Sequence, residues 1–128
     1  MTADAFVLVH GGFHDRRCWE RLIPLLARPA LVVDLPGRGT RPAKMQDVTL
    51  EACVRSVLAD IENAGLSRVV LVGHSMGGGT VPVVAARIPD RADARGLHIL
   101  LAEDNPINML LIRELLRRRG HKVTEVTH

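Results

Sequence analysis

Aromatic residues make up only 2% of this 128-residue sequence, and tyrosine is absent. The core must therefore be built from Leu, Val, Ile and Ala. Nucleic-acid binding needs a clustered basic face together with aromatics or a known motif. The one basic run, Arg117-Arg118-Arg119, falls in the last turn of a predicted helix, where cations complement the helix dipole. Cysteine is nearly absent too. Cys18 and Cys53 are too few and too far apart for a disulfide framework or a zinc site, and they fit a reducing cytosol. No apolar run approaches the ~18 residues of a membrane span, and no signal peptide is visible. Repeats and low-complexity segments are missing as well. The expectation is a cytoplasmic, cofactor-free domain that binds neither nucleic acid nor membrane.

What is present suits one domain. Apolar residues are 47% of the chain and the net charge is +3, an ordinary globular balance. The pattern reads βαβαβαβαβ. Predicted strands are Phe6–His10, Ala30–Asp34, Arg68–Gly73, His98–Ala102 and Val123–Thr127. Most are aliphatic runs without alternation, as in strands buried on both faces. Predicted helices are Arg17–Ala27, Leu50–Ala64, Met76–Ile88 and Pro106–Arg119. Thr49 is placed to cap the second. Asn105, Pro106 and Gly120 punctuate the fourth, and Glu114 and Arg118 are spaced to pair along it. Alternating strands and helices imply a parallel sheet with helices on both faces.

The most informative stretch is Gly73-His74-Ser75-Met76-Gly77. It follows the apolar run Val69-Val70-Leu71-Val72 and precedes a helical pattern. Strand, sharp turn and helix around G-x-S-x-G describe a nucleophile elbow, which exposes the serine hydroxyl at the carboxyl end of a strand. Upstream stand Phe6-Val7-Leu8-Val9-His10-Gly11-Gly12, Cys18-Trp19 and Val33-Asp34-Leu35-Pro36-Gly37-Arg38-Gly39. In this order the four motifs resemble the N-terminal half of an α/β-hydrolase, of the esterase and hydroxynitrile-lyase-like branch. The resemblance implies that Ser75 is the nucleophile. It also implies an oxyanion hole made by the backbone N–H of Met76 and that of Gly12 or Phe13. The Asp34–Gly39 loop reads as a structural turn with no chemistry. Gly77, Gly78 and Gly79 lack the lysine of a phosphate-binding loop, so the elbow is the better reading.

After residue 91 the text changes. Ile99-Leu100-Leu101-Ala102-Glu103-Asp104-Asn105-Pro106-Ile107-Asn108 is similar to the first strand and helix of a response-regulator receiver domain, and His121-Lys122-Val123-Thr124-Glu125-Val126 resembles its second strand. The chain thus reads as an engineered or recombined chimera: a hydrolase fragment over 1–91, a junction at 92–95 and a receiver-derived βαβ unit over 96–128. Together they are expected to form one flavodoxin-like three-layer αβα sandwich, a five-stranded parallel sheet in order 2-1-3-4-5. A monomer is expected, with domain exchange as its hazard because both edge strands are uncovered.

A serine nucleophile needs a histidine and a carboxylate, and in the hydrolase family both lie on loops later than this chain reaches. None of the six histidines is a convincing base. His74 should point away from Ser75, and His98 and His121 sit at the wrong end of the sheet. His128 is at the correct end but two strands away, about 10 Å. His10 and His14 lie on the oxyanion side, where the family positions substrate. Glu103 and Asp104 match the receivers' Mg²⁺-binding acidic pair, but the phosphorylatable aspartate, hydroxyl residue and lysine are missing, so these two carboxylates make a poor metal site. The reading is a folded chimera without efficient activity. The alternatives are a weak serine esterase acting on small activated esters and a receiver-like Mg²⁺ or phosphoryl-binding module.

Overall fold

Residues 5–9 carry no side chain that needs water, and they form an interior strand of the sheet. The computed structural model describes residues 4–88, 98–102, 110, 113, 114, 117, 118 and 122–126. Strand β1 (Ala5–Val9) pairs in parallel with β2 (Ala30–Val32) on one side and β3 (Val69–His74) on the other. Strand β4 (His98–Ala102) continues from β3, and β5 (Lys122–Val126) from β4, giving the order β2-β1-β3-β4-β5. The pattern is that of an α/β fold with a parallel sheet. Among the described residues no helix is long and apolar enough to cross a membrane.

Two helices cover one face. Helix α1 (Leu50–Asn63) is capped by Thr49, whose Oγ1 accepts from the Ala52 N–H at 3.1 Å. It closes through Gly65 N–H to Glu62 O at 3.0 Å and Leu66 N–H to Ile61 O at 3.2 Å, the paired bonds of a Schellman ending. Helix α2 (Met76–Arg87) carries Pro82 inside it. Val54, Val57 and Ile61 of α1 meet Val81, Val84 and Ala85 of α2 over Val7, Val9, Val69 and Leu71 of the sheet. Each such valine or leucine contributes about 1.5–3 kcal/mol when fully buried. Leu8 and Val72 are buried on the opposite face.

The helix expected over Arg17–Ala27 does not form. Two 3₁₀ turns, Arg16–Trp19 and Ile23–Leu25, take its place. Pro24 would stand in the interior of that helix, without an N–H to give. Asp15 instead accepts from the Arg17 N–H at 2.9 Å and grips the same residue's guanidinium at 2.8 Å, which holds the first turn by itself. Most of the predicted fourth helix, with Asn105, Pro106 and Gly120, lies outside the described residues. Those described within it, 110, 113, 114, 117 and 118, are helical, and Arg118 donates to Glu114 at 3.1 Å.

Candidate active site

The register Val9↔Gly73 sets the end of β1 beside the end of β3, so the His10–His14 loop lies against the turn that carries Ser75. Ser75 has φ 51° and ψ −112°, outside the regions an L-residue normally occupies. That angle turns the chain from β3 straight into α2. The turn is possible because α2 begins against bare backbone: a Cβ on Gly77 would collide with the carbonyl oxygens of Val9 and His10. Likewise a Cβ on Gly11 would lie 2.9 Å from His74 Nδ1. Neighbouring glycines thus bring the β1 loop, the turn and the helix N-terminus into direct contact.

The first N–H groups of a helix have no partner within it. Of those at the start of α2, Gly78 N–H is held by Ser75 O at 2.8 Å. Met76 N–H sits at the same helix end. Gly12 follows Gly11 in a tight turn closed by His14 N–H to Gly11 O at 3.3 Å. At its third position stands Phe13, φ 63°, a site that ordinarily takes glycine. Phe13 and Ser75 are the only non-glycine residues with positive φ among those described.

The described histidines fall into distinct roles. His10 is 1% exposed, and both ring nitrogens are engaged: Nε2 accepts from Leu35 N–H at 2.9 Å, which leaves Nδ1 as the donor to Gly11 O at 2.8 Å. It is a neutral strut between two loops, and it has no lone pair to offer a substrate or a serine. The family's use of this loop to position substrate therefore does not extend to His10. His74 packs beside Gly11, edge-on to His14 at 5.5 Å between ring centres and to Trp19 at 6.4 Å. His98 pairs with Val70, near the start of β3. Among the described residues no hydrogen bond joins Ser75 to an imidazole or a carboxylate. Glu103, Asp104, His121 and His128 lie outside the described residues. Among those described, no cluster of three or more His, Cys, Asp or Glu is arranged to hold a metal.

Two clefts among the described residues lie elsewhere. One of about 630 Å³ and one of about 320 Å³ both border β2, and they share Arg16, Val32, Asp34 and Thr40. Neither touches Ser75. Within their walls Arg17 pairs with Asp15 and Arg41 with Asp60. Asp34 is buried and takes bonds from Arg16 N–H at 2.8 Å, Thr40 N–H at 2.9 Å and Thr40 Oγ1 at 2.8 Å. Burial opposes its ionisation, but the Thr40 and Arg16 donors outweigh it and hold the carboxyl below its usual range. These clefts are solvated seams beside a structural carboxylate. The pairing of Arg38 with Phe13, described below, was not anticipated from the sequence, where Arg38 reads only as part of a turn.

Comparison with known proteins agrees with the geometry. A family profile described as the alpha/beta hydrolase family matches residues 6–125, across the expected junction. Esterase PIR7B of Oryza sativa subsp. japonica is 37% identical over 95 residues, which are 70% of this chain and 35% of the relative. Methylesterase 9 of Arabidopsis thaliana is 35% identical over 91 residues, 67% of this chain and 36% of the relative. The crystal structure of the methylesterase MES16 from Arabidopsis superposes with a TM-score of 0.65 at 28% identity, over 77% of this chain and 42% of that one. The chain thus spans about a third of the length of the curated relatives it matches.

Proposed function

The chain belongs to the alpha/beta hydrolase family, and from that premise we propose that it carries the nucleophile half of a serine esterase site. The observation that carries the proposal is the backbone of Ser75, a non-glycine residue held at φ 51° between β3 and α2. Strain of this kind costs about 1–3 kcal/mol and persists where the surroundings impose it, most often at functional sites.

In this reading Ser75 Oγ attacks an ester carbonyl, forming the acyl–oxygen bond as its proton passes to solvent. The carbonyl oxygen gathers negative charge, which the Met76 and Gly12 N–H groups stabilise. Collapse of the tetrahedral species expels the alcohol as its oxyanion, and water later releases the acid. Among the described residues no imidazole pairs with Ser75, and a serine without one stays protonated and attacks slowly. An oxyanion hole and binding alone sustain roughly 10³–10⁴-fold acceleration over water in a serine protease stripped of its triad, an upper limit for this site. Activated esters with good leaving groups are the substrates that suit it. The esterase names of the relatives support this class.

The test is release of p-nitrophenolate from p-nitrophenyl acetate by the parent chain, Ser75→Ala and His128→Ala. Slow turnover with a mass increase of one acetyl group on Ser75 is expected. Activity that survives Ser75→Ala sinks the reading. Loss in His128→Ala means that this residue supplies a base.

A second reading keeps the chimera. The Ala102-Glu103-Asp104-Asn105-Pro106 text and the addition of a β4–β5 pair beyond β3 favour a receiver-derived unit over 96–128, completing a flavodoxin-like three-layer domain. The family match through residue 125 favours hydrolase descent instead. In the chimeric reading Glu103 and Asp104 bind Mg²⁺ poorly, and calorimetry that found receiver-like affinity would overturn that.

A further inference from the structure

The two strained residues of the described chain lie on adjoining loops, and only one of them, Ser75, has a role in the chemistry proposed above. Phe13 is the other. It is 88% exposed, so burial does not explain why a bulky side chain stands at φ 63°. What it does touch is Arg38, whose guanidinium carbon lies 5.1 Å from the centre of its ring. Arg38 is fixed in turn by its own backbone: its N–H donates to Leu35 O at 3.0 Å and its carbonyl accepts from Arg41 N–H at 2.9 Å.

Arg38 also differs from its neighbours in charge pairing. Arg16, Arg17, Arg41, Arg55 and Arg87 each face a carboxylate. For half-buried Arg38 there is none among the described residues, and its one described side-chain contact is the aromatic face. A guanidinium that sits over a ring and faces no carboxylate keeps donors available, in the planar fork that matches a carboxylate. Phe13 follows Gly12 directly, so the ring that carries this fork belongs to the same tight turn as the N–H assigned to the oxyanion.

We propose that Arg38, held on Phe13, is a carboxylate-recognising subsite beside the Ser75 elbow, so that the preferred esters carry a second, anionic carboxylate a few carbons from the scissile carbonyl. The specificity rests on the esterase reading; the presence of the anion site does not. The acyl-transfer step is the one already written, with the extra carboxylate unchanged throughout.

The experiment compares acylation of Ser75 by p-nitrophenyl acetate and by mono-p-nitrophenyl glutarate, followed by nitrophenolate release and intact mass. The parent should favour the glutarate ester, and Arg38→Gln should lower the glutarate-to-acetate ratio about tenfold, the size of one charge-assisted hydrogen bond. Arg38→Lys should recover part of the ratio. Arg55→Gln, which removes the same charge on α1, should leave it unchanged. In parallel, glutarate is titrated against the ¹⁵N-labelled parent, with a saturable shift expected at Arg38 Nε–H and the Phe13 amide. Acylation at equal rates with a ratio indifferent to Arg38 overturns the subsite alone. Failure of both esters to acylate Ser75 overturns the esterase reading, and the titration then decides the subsite: saturation sustains it, and an unmoved Arg38 signal ends it.

Discussion

Two loops at the carboxyl end of the sheet turn the chain equally sharply, by opposite means. After β2 the chain enters the Asp34 loop. Its left-handed positions are glycines, Gly37 at φ 83° and Gly39 at φ 52°, and Gly39 packs so closely on the Asp34 carboxylate that a Cβ would collide with it. Asp34 itself is saturated with donors. Arg41 then ties the loop to α1 through Ser56 and through Asp60 at 2.8 Å. After β3 the left-handed position is a serine, its side chain makes no capping bond to α2, and the helix N-terminus behind it holds N–H groups in reserve. One loop removes strain and satisfies its polar groups. The other keeps strain and leaves its hydroxyl out of the helix cap. The contrast separates a saturated turn from a strained, uncapped one without reference to any relative.

The comparison can be broken most severely at Gly77. Gly77→Ala would drive a methyl group into the Val9 and His10 carbonyls, and neither backbone group can swing aside. A loss of about 3 kcal/mol is expected in urea unfolding, and a Tm near that of the parent would show that α2 does not seat as described. Next comes the saturated loop. Asp34→Asn should cost about 2 kcal/mol, the range for hydrogen bonds to a charged group. Because folding depresses the Asp34 pKa, its contribution is complete above the carboxylate's ordinary value of 3.8 and is lost as pH falls toward the folded value. The parent should therefore lose more stability than Asp34→Asn between pH 5 and pH 2, about the span over which a depressed carboxylate titrates. Equal losses would remove Asp34 from its structural role.

Ser75→Gly should act in the other direction. It relieves the strained φ but loosens the unfolded chain, so a net gain of about 1 kcal/mol is expected together with loss of ester reactivity. A less stable glycine variant would mean that Ser75 is not strained at all. The smallest effect lies away from both loops. Arg87 and Arg55 hold exposed Glu51 down to about 2. In a carbon-detected NMR titration, Arg87→Ala should move Glu51 back toward 4.5, its ordinary value. Any stability it confers is present above that value and fades below it. No shift would place the Glu51–Arg87 tie outside the folded state.

These contrasts also show what the residues made legible. Ser75 and its glycines announced the elbow because tight backbone approach leaves a fixed signature in sequence. Val69–Val72 and Thr49 announced a strand and a helix start because burial on both faces and capping each demand particular residue types. Arg17–Ala27 misled, since its apolar residues suggested a helix that Pro24 and the Asp15–Arg17 grip prevent. His10 read only as no convincing base, and the partners of its two nitrogens, 25 residues and one residue away, show what it does instead. Contacts made across such distances leave no local pattern to read.

The interior place of β1 has a consequence for synthesis. Its backbone edge toward β3 is paired only when Val69–His74 has been made, about sixty residues later. At ordinary translation rates of 5–20 residues per second, that interval is roughly 3–12 s. During it Val7, Leu8 and Val9 have β2 available on one side and no partner on the other. The nascent chain is therefore most in need of chaperone shelter before the elbow exists, and slowing the ribosome between residues 10 and 69 would lengthen its exposure.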